Sequence, residues 1–264
     1  MEIRGKLLKM RSELKVPVKY WLRLGDHEIM LNEYIGSEIC LDYAGEIHCI
    51  LCDRKTSKSF FQGMCYPCFQ NAPQAEECVL RPELCRAHEG VARDMEYASQ
   101  NCLQPHFVYL SYTGSIKVGV TRMSQIPTRW IDQGATRAVR IASTPNRYIA
   151  GSIEVMLKKN VADKTNWRKM LSGIDEEFDI KGFKSEIIKK FEPDYTKYIL
   201  ESEEVVNIEY PVRQYPEKIK SVGFDKTLNI RGTLQGIKGQ YLILSDNRVL
   251  NIRKHGGYMV TLKL

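Results

Sequence analysis

The chain has 264 residues, 43% of them hydrophobic and 27% charged, with a formal net charge of +7. That length suits one large domain or two to four small ones, and the composition excludes a fibrous or disordered chain. No apolar run reaches membrane-spanning length, and the charged opening MEIRGKLLKMRSELK lacks the apolar core of a signal peptide, so a cytoplasmic protein with no membrane partner is expected. Eight cysteines in that compartment point to metal binding before disulfides.

Residues 1–48 read as an N-terminal β unit: VPVKYWLRL, HEIMLNEYI and SEICLDYAG are short, apolar or aromatic, and bounded by Gly, Asp and Asn. Cys40 in the third of these is read as core. Residues 49–102 hold seven of the eight cysteines. Cys49-x-x-Cys52 and Cys65-x-x-Cys68 are two knuckles separated by twelve residues, a spacing that closes a tetrahedral site of four sulfurs and suits structural Zn²⁺. Phe60-Phe61 and the turn at Gln62-Gly63 belong to a hairpin between them. Cys78, Cys85, His88 and Cys102 are candidates for a second zinc.

Residues 103–200 open on VYLSYTGSIKVGVTR, a hairpin turning at Thr113-Gly114-Ser115. IPTRWIDQGA reads as a helix entered at Pro127. RYIAGSIEVMLKKNV places Ile149, Ile153, Met156, Leu157 and Val161 at helical spacing, with Glu154 at the edge of that stripe. Asp163 or Thr165 is the expected cap of a helix through Trp167 and Leu171, and 183–192 is a further amphipathic helix stopped by Pro193. Trp130, Trp167 and Tyr148 are read as core. Residues 201–264 return to short strands with compact polar turns, which suggests a small C-terminal β-barrel. EIRGKLL at 2–8 is echoed by NIRGTLQ at 229–235, consistent with related β units at the two ends.

Charge is uneven. Residues 107–171 contain eleven Lys and Arg and three acids, a basic segment suited to a nucleic acid, DNA or RNA. Within it Tyr109, Lys117, Arg129 and Glu154 are the parts needed to cleave a phosphodiester. A carboxylate can hold Mg²⁺ or Mn²⁺, an arginine can neutralise a phosphorane, and a tyrosine or lysine can handle the proton of the attacking water. Arg122, Arg147, Lys158 and Lys164 are candidate phosphate contacts.

VYL, then KVG, then an arginine on the following helix and a later helical glutamate resemble the GIY-YIG nuclease superfamily. The resemblance implies Tyr109 as the first motif's tyrosine, Gly119 as the second motif's glycine, Arg129 as the phosphate-contacting arginine and Glu154 as the ligand of the divalent ion. Lys117 stands where the second tyrosine belongs. More of the chain resembles the prokaryotic family domain of unknown function 2797, through CILCDRKTSKSFFQGMCYPCF, KVGVTR, IPTRWIDQGA, DKTNWRKML and GIKGQYLIL. Against that family, Ala92 stands where a further cysteine is expected.

The expected architecture is α+β: a GIY-YIG-like small mixed domain, a four-cysteine zinc-ribbon-like module, and flanking β-barrel-like N- and C-terminal units. The expected activity is metal-dependent nuclease action on DNA or RNA. The alternative is a non-catalytic nucleic-acid-binding zinc protein using the same basic face. A scaffold in a protein assembly would instead need an exposed apolar patch.

Overall fold

The structure is a computed structural model. It describes residues 1–159, 161, 166–174, 177–202 and 204–264. The chain forms two compact units, one of residues 1–70, 171–173 and 208–264, the other of 71–170 and 174–207.

The first unit is a ten-stranded sheet in which both chain ends take part. Strand Glu2–Glu13 pairs antiparallel with Tyr258–Lys263, Glu2 opposite Lys263, and Tyr258–Lys263 pairs in turn with Glu38–His48. Asn229–Lys238 pairs with the other edge of Glu38–His48. The N- and C-terminal segments, expected as two β units, thus share one sheet. The expected barrel is not formed: among the described residues the strand path ends at Lys220–Val222 on one side and His27–Met30 on the other. The echoed segments are also not partners, since two strands separate them.

Alternation sets the faces of this sheet. Ile39 and Leu41 are buried, as are Leu7, Leu22, Leu24, Leu242 and Val260 of the same sheet. Cys40 between them points the other way, half-buried, and accepts a hydrogen bond from Asn229 Nδ2 at 3.1 Å. The expectation that Cys40 is core is therefore corrected by the strand's own period of two. Strand Glu2–Glu13 changes register between Leu8 and Arg11, and a bulge there leaves backbone groups to satisfy. The buried Gln240 amide does so, accepting from Met10 N at 2.9 Å and donating to Met10 O at 3.2 Å.

The second unit is built on a four-stranded antiparallel sheet, ordered Ile116–Arg122, His106–Tyr112, Arg137–Thr144, Val205–Asn207. Every residue of His106–Tyr112 is buried. One face presents Val108, Leu110, Val118, Val139 and Ile141 to a core shared with Ala150, Ile153 and Leu157 of helix Arg147–Lys158 and with Ile180 and Ile187 of helix Ile180–Ile188. The other face carries Tyr109, Ser111, Lys117 and Gly119, and there Trp130 meets Tyr109 edge-on at 6.0 Å. The hairpin turns at Gly114, whose φ of +85° is the left-handed conformation glycine allows.

Helix Trp167–Leu171 is capped by Asn166, whose Oδ1 accepts from Lys169 N at 3.2 Å. The candidate caps Asp163 and Thr165 lie outside the described residues. Trp130 is buried as expected, whereas Tyr148 is exposed and Trp167 half-buried under Arg168. Among the described residues no helix is long and apolar enough to cross a membrane.

Candidate functional site

The hairpin register decides what Tyr109 can touch. Tyr109 pairs with Gly119, and Ser111 with Lys117, so Lys117 is the diagonal neighbour of Tyr109 on one face. The glycine is needed for space. A Cβ at 119 would lie 2.6 Å from Tyr109 Oη. The phenol donates to Gln133 Oε1 at 2.9 Å. Burial pushes its pKa up, the nearby Arg129 guanidinium pulls it down by charge and a hydrogen bond, and the Glu154 carboxylate adds to the rise. Tyr109 therefore stays protonated, with its proton directed at Gln133.

Gly119→Ala should displace that hydroxyl. Overpacking of this kind costs about 1–3 kcal/mol, and misplacing a site group by about 1 Å costs roughly 10²-fold in rate. Thermal melts read the first effect. Any assay of the site reads the second, and an unchanged melting temperature would show that the contact yields freely.

Glu154 sits on helix Arg147–Lys158, only 8% exposed. Burial raises its carboxyl above the usual range. The Lys158 ammonium, 3.4 Å away, opposes that rise, Glu83 reinforces it, and Lys117 lowers it. Glu83 comes close because Gly151 has no side chain: a Cβ there would collide with the backbone of Pro82 and Glu83. Oε2 of Glu83 is buried without a hydrogen-bond partner. On the Tyr109 face, Ser111 Oγ and Trp130 Nε1 are likewise buried and unpartnered.

Of the four residues expected to act together, Tyr109 and Arg129 share a hydrogen bond, while Glu154 bears on Tyr109, and Lys117 on Glu154, through charge alone. Gln133, Glu83, Ser111 and Trp130 join them, although no sequence motif marks these. Of the candidate phosphate contacts, Lys158 belongs to the group through Glu154. Arg122 is half-buried and its charge acts on His106 and Tyr97. Arg147 is buried and donates to Cys78 O and Asn101 O, both at 3.2 Å, so its expected phosphate contact is replaced by a structural one. Lys164 lies outside the described residues.

The basic segment is also partly spent internally. Arg137 donates to Phe178 O at 3.3 Å and lies over the Tyr112 ring. Arg140 pairs with Glu204 at 3.1 Å.

Two cysteine groups could hold a metal ion. Within each group the sulfurs all lie within 4.8 Å of one another. The first is Cys49, Cys52, Cys65 and Cys68. Between its knuckles Phe60 bridges to Met64 across a turn through Phe61, Gln62 and Gly63, all at positive φ. Burial would raise the Cys49 thiol, but N–H groups of Cys52, Cys65 and Leu51 outweigh it and bring the pKa to about 6, a thiolate ready for a cation. The second group is Cys78, Cys85 and Cys102. His88 is not in it: its ring stacks on Tyr148 at 4.4 Å, which corrects the expected fourth ligand.

A family model described as "Protein of unknown function (DUF2797)" matches residues 36–260. The chain belongs to that family. No curated protein and no solved structure matches it. The matched range includes both cysteine groups and all of Tyr109, Lys117, Arg129 and Glu154.

Proposed function

We propose that the Tyr109 face of the second unit hydrolyses phosphodiesters in DNA or RNA, in the manner of a GIY-YIG-like nuclease, and that the four-cysteine group is a structural zinc site. The observation that supports the first reading is Glu154: a buried carboxylate 3.4 Å from Lys158 whose charge acts on Tyr109 and is acted on by Lys117. The i,i+4 pairing of Glu154 with Lys158 at 3.4 Å is equally what a non-catalytic helix would carry, and it is the observation that favours the nucleic-acid-binding alternative.

Glu154 and Glu83, whose Oε2 is buried without a partner while its Oε1 accepts from Arg81 Nε at 3.3 Å, are the carboxylates that would hold a divalent cation, Mg²⁺ or Mn²⁺, with water. When bound, such an ion supplies Lewis-acid stabilisation of the leaving oxygen. The chain's own groups do the rest. Arg129 grips the scissile phosphate by charge-assisted hydrogen bonds. Tyr109, protonated and fixed by Gln133, orients the attacking water. For Lys117 to take the water's proton it must first give up its own to solvent, so the step runs through the neutral amine, which then becomes the ammonium. Zinc in the first group is supported by distance: a Zn–S bond of about 2.3 Å implies sulfurs about 3.8 Å apart, and Cys52 and Cys65 are 3.7 Å apart.

Lys117→Arg tests the chemistry. Arginine keeps the charge and cannot release its proton. Cleavage of labelled single- and double-stranded DNA and RNA with Mn²⁺ should fall by about 10²–10⁴-fold, the worth of a general base, while polynucleotide affinity at low salt holds. Undiminished cleavage would remove Lys117 from the role. If the wild type binds but cuts none of these substrates, the binding-module reading replaces this one.

A further inference from the structure

We infer that Cys78, Cys85 and Cys102 form a second Zn²⁺ site, made of three thiolates only, whose fourth position is open to water or a small exogenous ligand. The three side chains are buried, with sulfurs mutually within 4.8 Å, the compactness that tetrahedral Zn–S bonding requires. All three are free thiols, and a disulfide could use only two.

The local fold gives the ion a reason to be there. Residues 73–89 contain four single 3-10 turns, followed by the seven-residue helix Met95–Asn101. Their shared core is the three cysteines, Ala87 and Ala98. Beyond the seat of the 82–84 turn on Gly151 and the Arg147 hydrogen bonds, this small apolar core offers little to order the segment, and a metal would supply the rest.

Charge balance agrees. Three thiolates around Zn²⁺ leave one net negative charge, which is costly when buried alone. Arg147 supplies the counter-charge: it is buried, with Nη1 3.9 Å from Cys78 Sγ.

The fourth position has no protein ligand among the described residues. His88 is turned onto Tyr148, with Nε2 3.9 Å from Glu89. The side chain that packs against the group is Ala92, which offers no donor atom. Three protein ligands plus an exchangeable position is the arrangement of reactive zinc sites, while closed four-ligand sites are structural. The site also touches the proposed nuclease helix, since Arg147 opens that helix and its N–H donates to Cys102 O at 2.8 Å.

Metal analysis and cobalt spectroscopy of the intact chain test this independently of cleavage. The wild type should carry two Zn²⁺ per chain. Cys85→Ser should retain one, and Cys52→Ser should retain the other. In the Co²⁺-loaded Cys52→Ser protein, imidazole should shift the d–d bands of the remaining site. Adding Ala92→Cys to that background should abolish the shift and raise the thiolate charge-transfer intensity by about a third, one sulfur added to three. His88→Ala should leave all of this unchanged. One zinc in the wild type, loss of a zinc in His88→Ala, or bands indifferent to imidazole would each overturn the inference.

Discussion

Glu154→Gln is expected to cleave polynucleotides at least about 10³-fold more slowly than the wild type, the size of effect seen when a key electrostatic group leaves a phosphoryl-transfer site. Binding should be retained, because Arg129 and the lysines remain. The fold should be retained as well, and here the sign matters. The folded-state pKa of Glu154 is raised above its ordinary value, chiefly by burial. Such a group favours the fold while protonated, below the unfolded pKa, and that contribution is lost as pH rises through the folded pKa. Above its raised pKa the ionised carboxylate is therefore a burden on the metal-free fold. Glutamine keeps the shape and removes the charge, so above that pKa the metal-free variant should melt no lower than the wild type. Mn²⁺ affinity in the wild type should weaken as pH falls through that raised pKa, as the proton competes for the carboxylate. A variant that melts lower and cleaves normally would contradict both halves of this account.

The second large effect concerns the four-cysteine group. Cys49→Ser with Cys65→Ser, or prolonged chelation, should destabilise the first unit by at least about 3 kcal/mol, since structural zinc contributes folding energy directly. That corresponds to a fall in melting temperature of roughly 10 °C for a unit of this size. The reason lies in how little else holds the segment. Between Cys49 and Cys68 the buried side chains include Cys49, Met64 and Cys65, and order comes from the two-residue strand Lys55–Thr56, the Phe60–Met64 bridge and the Phe60–Phe69 stack at 5.8 Å. The Cys49 thiolate, freed from metal, would also stand among three other sulfurs, held by N–H groups and the Cys52 thiol. Calorimetry of the zinc-loaded and chelated protein reads the difference. Coincident melts would make the four cysteines a small core without metal.

The parts of this molecule legible in its sequence are those whose partners are near in the chain. The two knuckles fix four sulfurs by spacing alone, and the 108–122 hairpin fixes Tyr109 against Gly119 by its turn. Helix Arg147–Lys158 shows its apolar stripe and so its placement of Glu154. Pairing between Glu2 and Lys263 leaves no local trace, because register between distant strands is set by the whole sheet. The direction of the His88 ring is similarly tertiary, so spacing alone offers it as a ligand. Glu83 reaches Glu154 only because Gly151 admits the turn at 82–84. A lone glycine in a helical stripe is the one sequence sign of that approach. Charge counting overstates the basic face, since Arg137, Arg140 and Arg147 are held by a carbonyl, a carboxylate and the Cys78 loop. A count of charges does not say which of them face solvent. Cys40, by contrast, is decidable from the alternation of Ile39 and Leu41 around it.

The most direct test of the central claim is the single-turnover cleavage rate of a labelled polynucleotide, measured with the zinc-loaded wild type as Mn²⁺ is titrated from zero. The account predicts a rate that rises saturably with Mn²⁺ and returns to background with a brief chelator pulse that leaves zinc in place. Tight, salt-sensitive binding with no Mn²⁺-dependent cleavage at any concentration would contradict it.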